Sequence, residues 1–247
     1  MSVSYNSRDT LPNMVQAVVE NTRFPRNAVW YMLLQNFSDE ACQTVVQLCK
    51  DKIELVLIRF AKNIGLSKAM TYLNEQCKNF EFVISIEDDW KLLATHIPSK
   101  DWLLLGLRFL QHYTDVSAIF LRTYSTEKEA WQYGHLRSIP FTCHKHAGNY
   151  DYKRKMEGSE RIVFEGVTFA HIPTMMFTFN PMIMRNKDFH KHVYPLDVFD
   201  LDSKAAGSNA NWGHTEALAA ERTRDLKIFW MKDGIMAHME DMILCPM

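Results

Sequence analysis

The chain has 247 residues, 47% apolar and 23% charged, an ordinary composition for a globular protein with one large α/β domain. A formal net charge of −1 gives no electrostatic case for nucleic acid as a partner. No run approaches the ~18 apolar residues of a transmembrane segment, the N-terminus lacks a signal-peptide core, and the five cysteines form no C-x-x-C pair, so a reduced, soluble, cytoplasmic protein is expected.

Residues 1–26 are polar and carry Pro12 and Pro25; they read as an arm or a short first helix through Met14, Val15, Val18 and Val19. The apolar run 28–34 is a strand candidate. Ser38-Asp39 then starts a helix over 39–51, with Ala41, Val45, Leu48 and Cys49 on one face. A strand over 54–60 puts Arg59 at its carboxyl end. The turn through Asn63-Ile64-Gly65 leads into a helix over 66–78, where Leu66, Met70, Leu73 and Cys77 recur at helical spacing. A strand over 82–86 follows. This alternation predicts a parallel sheet with right-handed crossovers, in which 28–34, 55–60 and 82–86 are neighbours.

A helix over 101–112 and a strand over 116–121 continue the pattern. Residues 123–160 are irregular and polar. Their cations His144, Lys145, His146, Lys153, Arg154 and Lys155 suit either a solvated loop or a flap over 142–160 that closes on a negatively charged ligand. Strands are expected over 161–170 and 174–184, the second interrupted at Asn180-Pro181. A short helix over 187–193, a polar loop over 200–212 and a helix over 214–224 come next. Strands over 226–231 and 235–239, joined by Asp233-Gly234, end the chain. With no repeat and no low-complexity linker, the whole reads as one domain, a parallel half followed by a mixed half.

The strand over 82–86 runs directly into Glu87-Asp88-Asp89-Trp90. In open α/β sheets ligands bind beyond the carboxyl ends of the strands, where these acids lie. Adjacent carboxylates repel one another, and a cation or a donor-rich ligand relieves that repulsion. A solvated turn is the plainer account. Cys143, His144 and His146 lack a second ligand pair at finger spacing, so a structural zinc is not expected. A sugar nucleotidyltransferase would carry a glycine-rich phosphate loop after its first strand, and Gln35-Asn36-Phe37-Ser38 is not one.

Three segments, taken in order, carry a family resemblance. The first is Asn63-Ile64-Gly65-Leu66-Ser67-Lys68-Ala69 followed by a helix and a strand into Glu87-Asp88-Asp89. The second is Phe179-Asn180-Pro181 with Ile183 and Arg185. The third is Trp212-Gly213-His214-Thr215-Glu216, then Arg222, Lys227-Ile228, Asp233-Gly234 and His238. Together they are similar to the GT-A nucleotide-sugar glycosyltransferases of the inverting family-2 type. More loosely, the compact chain resembles small glycosyltransferases of large algal DNA viruses.

That resemblance implies a Rossmann-type α/β/α sandwich, its central sheet mostly parallel with a mixed C-terminal part. It implies a single domain over 1–247, with 1–122 binding the nucleotide sugar and 123–247 the acceptor. It also implies Mn²⁺ or Mg²⁺ as cofactor, a nucleoside-diphosphate sugar as donor, a glycan or glycoprotein hydroxyl as acceptor, and inversion at the anomeric carbon. Asp89 would be the direct metal ligand, with His238 near the metal or diphosphate. Glu87 and Asp88 would contact ribose or metal-bound water, while Asn36, Arg59, Asn63 and Gly65 are candidates for nucleotide contacts by their position alone. Glu216 would be the catalytic base, with Asp197, Asp200 and Asp202 as alternatives. The plainer accounts are a first-turn helix acid for Glu216 and a packed strand histidine for His238. A sugar nucleotidyltransferase and a non-catalytic nucleotide-sugar-binding module are the competing functions. One departure stands out: the strand over 54–60 runs almost directly into Asn63-Ile64-Gly65, as though a strand–helix unit were missing together with the acid that reads the nucleobase.

Overall fold

The computed structural model describes residues 1–5, 10–93, 99–121, 160–172, 181–192, 222–223, 225–231 and 234–238. Of the flap expected over 142–160 all but Glu160 lies outside them, as do Glu216, Asp197, Asp200, Asp202 and most of the helix expected over 214–224.

The chain begins with strand β1 (Ser2–Tyr5) and helix α1 (Thr10–Asn21). β2 (Val29–Gln35), α2 (Asp39–Cys49), β3 (Glu54–Phe60), α3 (Leu66–Cys77) and β4 (Phe82–Ser85) follow in strict alternation. Next come β5 (Trp90–Leu92), α4 (Trp102–His112) and β6 (Val116–Phe120), then β7 (Arg161–Phe164) and β8 (Val167–Ile172). The described chain ends with β9 (Met182–Arg185), α5 (Asn186–His192), β10 (Lys227–Met231) and β11 (Met236–His238).

β1, β2 and β3 form a parallel three-stranded sheet with β2 in the middle. A mixed six-stranded sheet runs β4-β9-β6-β10-β8-β7. Met1 joins the two, because its amino group donates to Ile84 O and its carbonyl accepts from Ile86 N at 3.1 Å. β1 therefore lies between β2 and β4. Alternation along the strands sorts side chains onto two faces. Met32, Leu34, Ile119, Ile183 and Phe229 pack with α1, α2 and α4. Leu33, Ala118, Met182, Met184 and Ile228 pack with α3 and Phe189 of α5. The result is the expected three-layer α/β/α sandwich, and Phe109 of α4, stacked on Phe169 at 3.9 Å between centroids, sits deep in the first layer.

Three expectations are corrected. Strands 28–34 and 55–60 are parallel neighbours, in register from Val29↔Glu54 to Gln35↔Phe60, but 82–86 pairs with neither, because β1 stands between. The segment read as an arm or a short first helix also supplies a further strand–helix unit, β1 and α1, ahead of β2. α1 is amphipathic as expected, burying Leu11, Met14, Val15, Val18 and Val19. β1 shows no apolar run in the sequence because its inward residues are serines. Ser2 and Ser4 are almost fully buried, and Ser2 Oγ accepts from Trp30 Nε1 at 3.0 Å, so each hydroxyl meets a partner in the core. Lastly, 161–170 is a hairpin and not one strand. Glu165 (φ 47°) and Gly166 (φ 82°) form the two-residue turn, both in the left-handed region that matches the strand twist.

Arg185, quoted in the resemblance, is structural. Its buried guanidinium donates to Val116 O at 2.8 Å and to Leu110 O and Tyr113 O, satisfying the carbonyls at the C-terminal end of α4.

Candidate functional site

The parallel strands β1–β4 deliver their carboxyl ends to one edge of the molecule. Seven of the expected site residues gather there in two groups, separated by the width of β1.

The acidic group follows β4. Glu87 is half-buried, and its Oε2 accepts from Trp90 Nε1 at 3.2 Å. Asp88 turns inward. It is 6% exposed, and its Oδ2 accepts from the Ser4 hydroxyl on β1. Asp89 is half-buried beside it. Trp90 then starts β5, whose antiparallel partner is β11, with His238 directly across from Trp90. The backbone thus brings His238 to the acids from a sequence distance that no local pattern conveys.

The second group follows β2 and β3. Asn36 takes a left-handed turn at φ 60°, its N–H donating to Phe60 O at 2.9 Å, and its side chain is exposed. Asparagine tolerates this conformation better than most residues. Gln35 is buried, and its Oε1 accepts from Ile64 N at 2.7 Å, tying the end of β2 to the turn before α3. Asn63 Oδ1 accepts from Gly65 N at 2.8 Å, and Gly65 holds φ 84°, which favours glycine. α3 starts here, so the positive end of its dipole faces the same edge. Arg59 is exposed; its Nη1 pairs with Asp39 at 2.7 Å and its Nη2 donates to Phe37 O at 3.2 Å. The bond to Asp39 pushes the guanidinium further toward its protonated form. Asp39 is the first residue of α2, whose cap is Ser38, with Oγ accepting from Ala41 N at 3.2 Å.

Two strand spacings, roughly 9–10 Å, separate β2 from β4 across β1. Tyr5, in register with Gln35 and 38% exposed, lies in the interval. A nucleoside diphosphate has the reach to bridge the two groups. The donor set of the acidic turn is all carboxylate, which suits a hard divalent cation such as Mg²⁺ or Mn²⁺. Among the described residues no three His, Cys, Asp or Glu side chains converge as a complete cage. Mg²⁺ commonly takes one or two protein carboxylates and fills the rest with phosphate and water, so the turn fits such an ion.

Ser4, Gln35 and Tyr5 were not among the expected site residues. Ser4 could have been found from the alternating Ser-Val-Ser-Tyr run, had its serines been taken as buried. Glu216 lies outside the described residues. An apolar cavity of about 400 Å³ lies elsewhere, among Phe24, Trp30, Tyr31, Phe82, Trp102 and Leu103 at the amino ends of β2 and β4. Among the described residues no helix is long and apolar enough to cross a membrane, and Cys42, Cys49 and Cys77 are buried thiols.

No protein-family model and no curated protein matches this sequence. Solved structures do match. Residues 1–349 of TarS from S. aureus superpose with a TM-score of 0.54 at 11% identity, covering 96% of this chain and 58% of that one. The mannosyltransferase PcManGT from Pyrobaculum calidifontis, solved with GDP-Man and Mn²⁺, gives 0.55 at 12%, covering 96% and 55%. GalNAc-T7, solved with UDP, GalNAc and Mn²⁺, gives 0.56 at 14%, covering 96% and 42%. The chain thus spans less than two thirds of each of these proteins. At such identities the likeness establishes the fold, and the fold is the GT-A fold of nucleotide-sugar glycosyltransferases.

Proposed function

We propose that this chain is an enzyme, a metal-dependent glycosyltransferase that moves a sugar from a nucleoside-diphosphate sugar to a hydroxyl of a glycan or glycoprotein, with inversion. One observation carries the proposal: in a GT-A fold, an acidic turn closes β4 while amide and guanidinium groups cluster across β1 at the ends of β2 and β3.

In this reading Asn36, Asn63 and Gly65 hold the nucleoside, with Arg59 nearby. Asp89 is the metal ligand and Glu87 its neighbour toward ribose or bound water; His238 approaches from β11. A bound Mn²⁺ or Mg²⁺ would supply Lewis-acid relief of the charge building on the leaving diphosphate. Glu216 takes the proton from the acceptor hydroxyl as its oxygen attacks the anomeric carbon from the face opposite the leaving group. The transition state is oxocarbenium-like, as in glycoside hydrolysis. The acceptor is met by the 123–247 half.

The test is a thermal-shift panel of nucleotide sugars with and without Mn²⁺. A donor at ~100 times its dissociation constant stabilises the fold by about 2.7 kcal/mol. Metal-dependent hydrolysis of the same donor without acceptor then separates an enzyme from a binding module. Failure of every nucleotide sugar to stabilise the protein, with or without metal, would reject the proposal.

A further inference from the structure

The acids of the turn do not stand alike. Asp88 is 6% exposed and accepts a hydrogen bond from the Ser4 hydroxyl, itself 3% exposed, while Glu87 and Asp89 are both half-buried. Ser4 sits on β1, which pairs with β2 through Ser4↔Leu34 and touches the end of β4 through Met1 and Ile86. The Ser4–Asp88 bond therefore spans 84 residues of sequence and ties the acidic turn to the strand between the two binding groups. A side chain held in the core by a buried hydroxyl is poorly placed to give up that bond for a ligand. It is well placed to fix the backbone of the residues on either side.

We propose that Ser4 and Asp88 are a positioning pair: their hydrogen bond sets the turn so that Asp89 presents its carboxylate to a divalent cation with Glu87 beside it, and Asp88 is not itself a metal ligand. This rests on the glycosyltransferase reading of the site. Partners that orient ligating residues are typically worth ~10–100-fold in metal affinity.

The experiment titrates Mn²⁺ into the full chain, alone and with inorganic pyrophosphate standing in for the donor's diphosphate. Electron paramagnetic resonance reads both the free-ion signal and the spectrum of the bound ion, and circular dichroism confirms that each variant is folded. Ser4→Ala should weaken Mn²⁺ binding ~10–100-fold. Ser4→Thr keeps the hydroxyl and should bind as wild type does. Asp88→Asn keeps an oxygen that accepts from Ser4, so it too should stay close to wild type, whereas Asp89→Asn should not bind. If Asp88→Asn loses as much affinity as Asp89→Asn, Asp88 is a ligand and the proposal falls. It falls equally if folded Ser4→Ala binds Mn²⁺ as wild type does. Should Ser4→Ala fail to fold, the contrast between Asp88→Asn and Asp89→Asn decides alone. A wild-type chain that binds no Mn²⁺ in either condition rejects the reading of the site itself, and the positioning pair with it.

Discussion

The two ends of the same sheet have opposite characters. At the carboxyl ends of β1–β4 the side chains are mainly carboxylates, amides and a guanidinium, each with a hydrogen-bond or ion-pair partner: Gln35 with Ile64, Asn63 with Gly65, Ser4 with Asp88, Arg59 with Asp39. At the amino ends of β2 and β4 lies the apolar cavity of about 400 Å³, walled by Trp30, Tyr31, Phe82 and Trp102. Concavity alone would direct attention to the second end. Chemistry directs it to the first, because a diphosphate and a cation need charged and hydrogen-bonding groups held in place before they arrive. In this fold the hollow among apolar side chains and the cluster of charged and hydrogen-bonding groups are different places.

Mutations should therefore separate the two ends. The largest effect is expected from Asp89→Asn, which keeps the shape but removes the charge a hard cation requires. Metal-dependent retention of a nucleotide sugar, measured by calorimetry in Mn²⁺, should be lost while the melting temperature stays near wild type. Next is Glu216→Gln, expected to lower turnover about 10²–10⁴-fold with donor affinity nearly unchanged. Full turnover with a verified acceptor would move the base to Asp197, Asp200 or Asp202. At the opposite end, Trp102→Ala empties a fully buried site whose Nε1 donates to Thr22 Oγ1 at 3.0 Å. It should cost about 3–5 kcal/mol in denaturant unfolding and leave donor affinity of the folded protein unchanged. A changed affinity would show that the two ends are coupled.

Smaller effects test the layers between. A methyl added at Gly106 of α4 would meet Ile183 Cδ1 of β9, the far end of a flexible side chain. The ~1–3 kcal/mol of overpacking is partly offset by a helix-propensity gain of ~1 kcal/mol. Gly106→Ala should thus be neutral to mildly destabilising in the same unfolding assay. The smallest effect concerns His171 on β8, beside the Phe229 ring. Burial pushes its pKa below the ordinary value of 6.5, with Glu160 pulling upward and Lys227 downward. Because the folded value is depressed, its contribution to stability is present above pH 6.5 and is lost as pH falls through the folded value. Melting temperatures between pH 7.5 and 5.5 should show a slight decline that His171→Gln flattens.

The sequence by itself determined the elements whose signal is local. β2, β3 and β4 are apolar runs, and α2, α3 and α4 show helical periodicity. The acidic turn follows a buried strand and so had to lie at a carboxyl end. The tertiary structure alone decided how these parts stand together. It made residues 2–5 a strand and set it between β2 and β4, because the burial of Ser2 and Ser4 makes sense only once Trp30, 28 residues on, and Asp88, 84 residues on, supply partners for their hydroxyls. It also turned 161–170 into a hairpin and brought His238 opposite Trp90. The reason is physical. Periodicity records which face of an element is buried, whereas strand order and the partners of buried polar groups are settled by contacts between residues far apart in the chain, and no local window contains both members of such a pair.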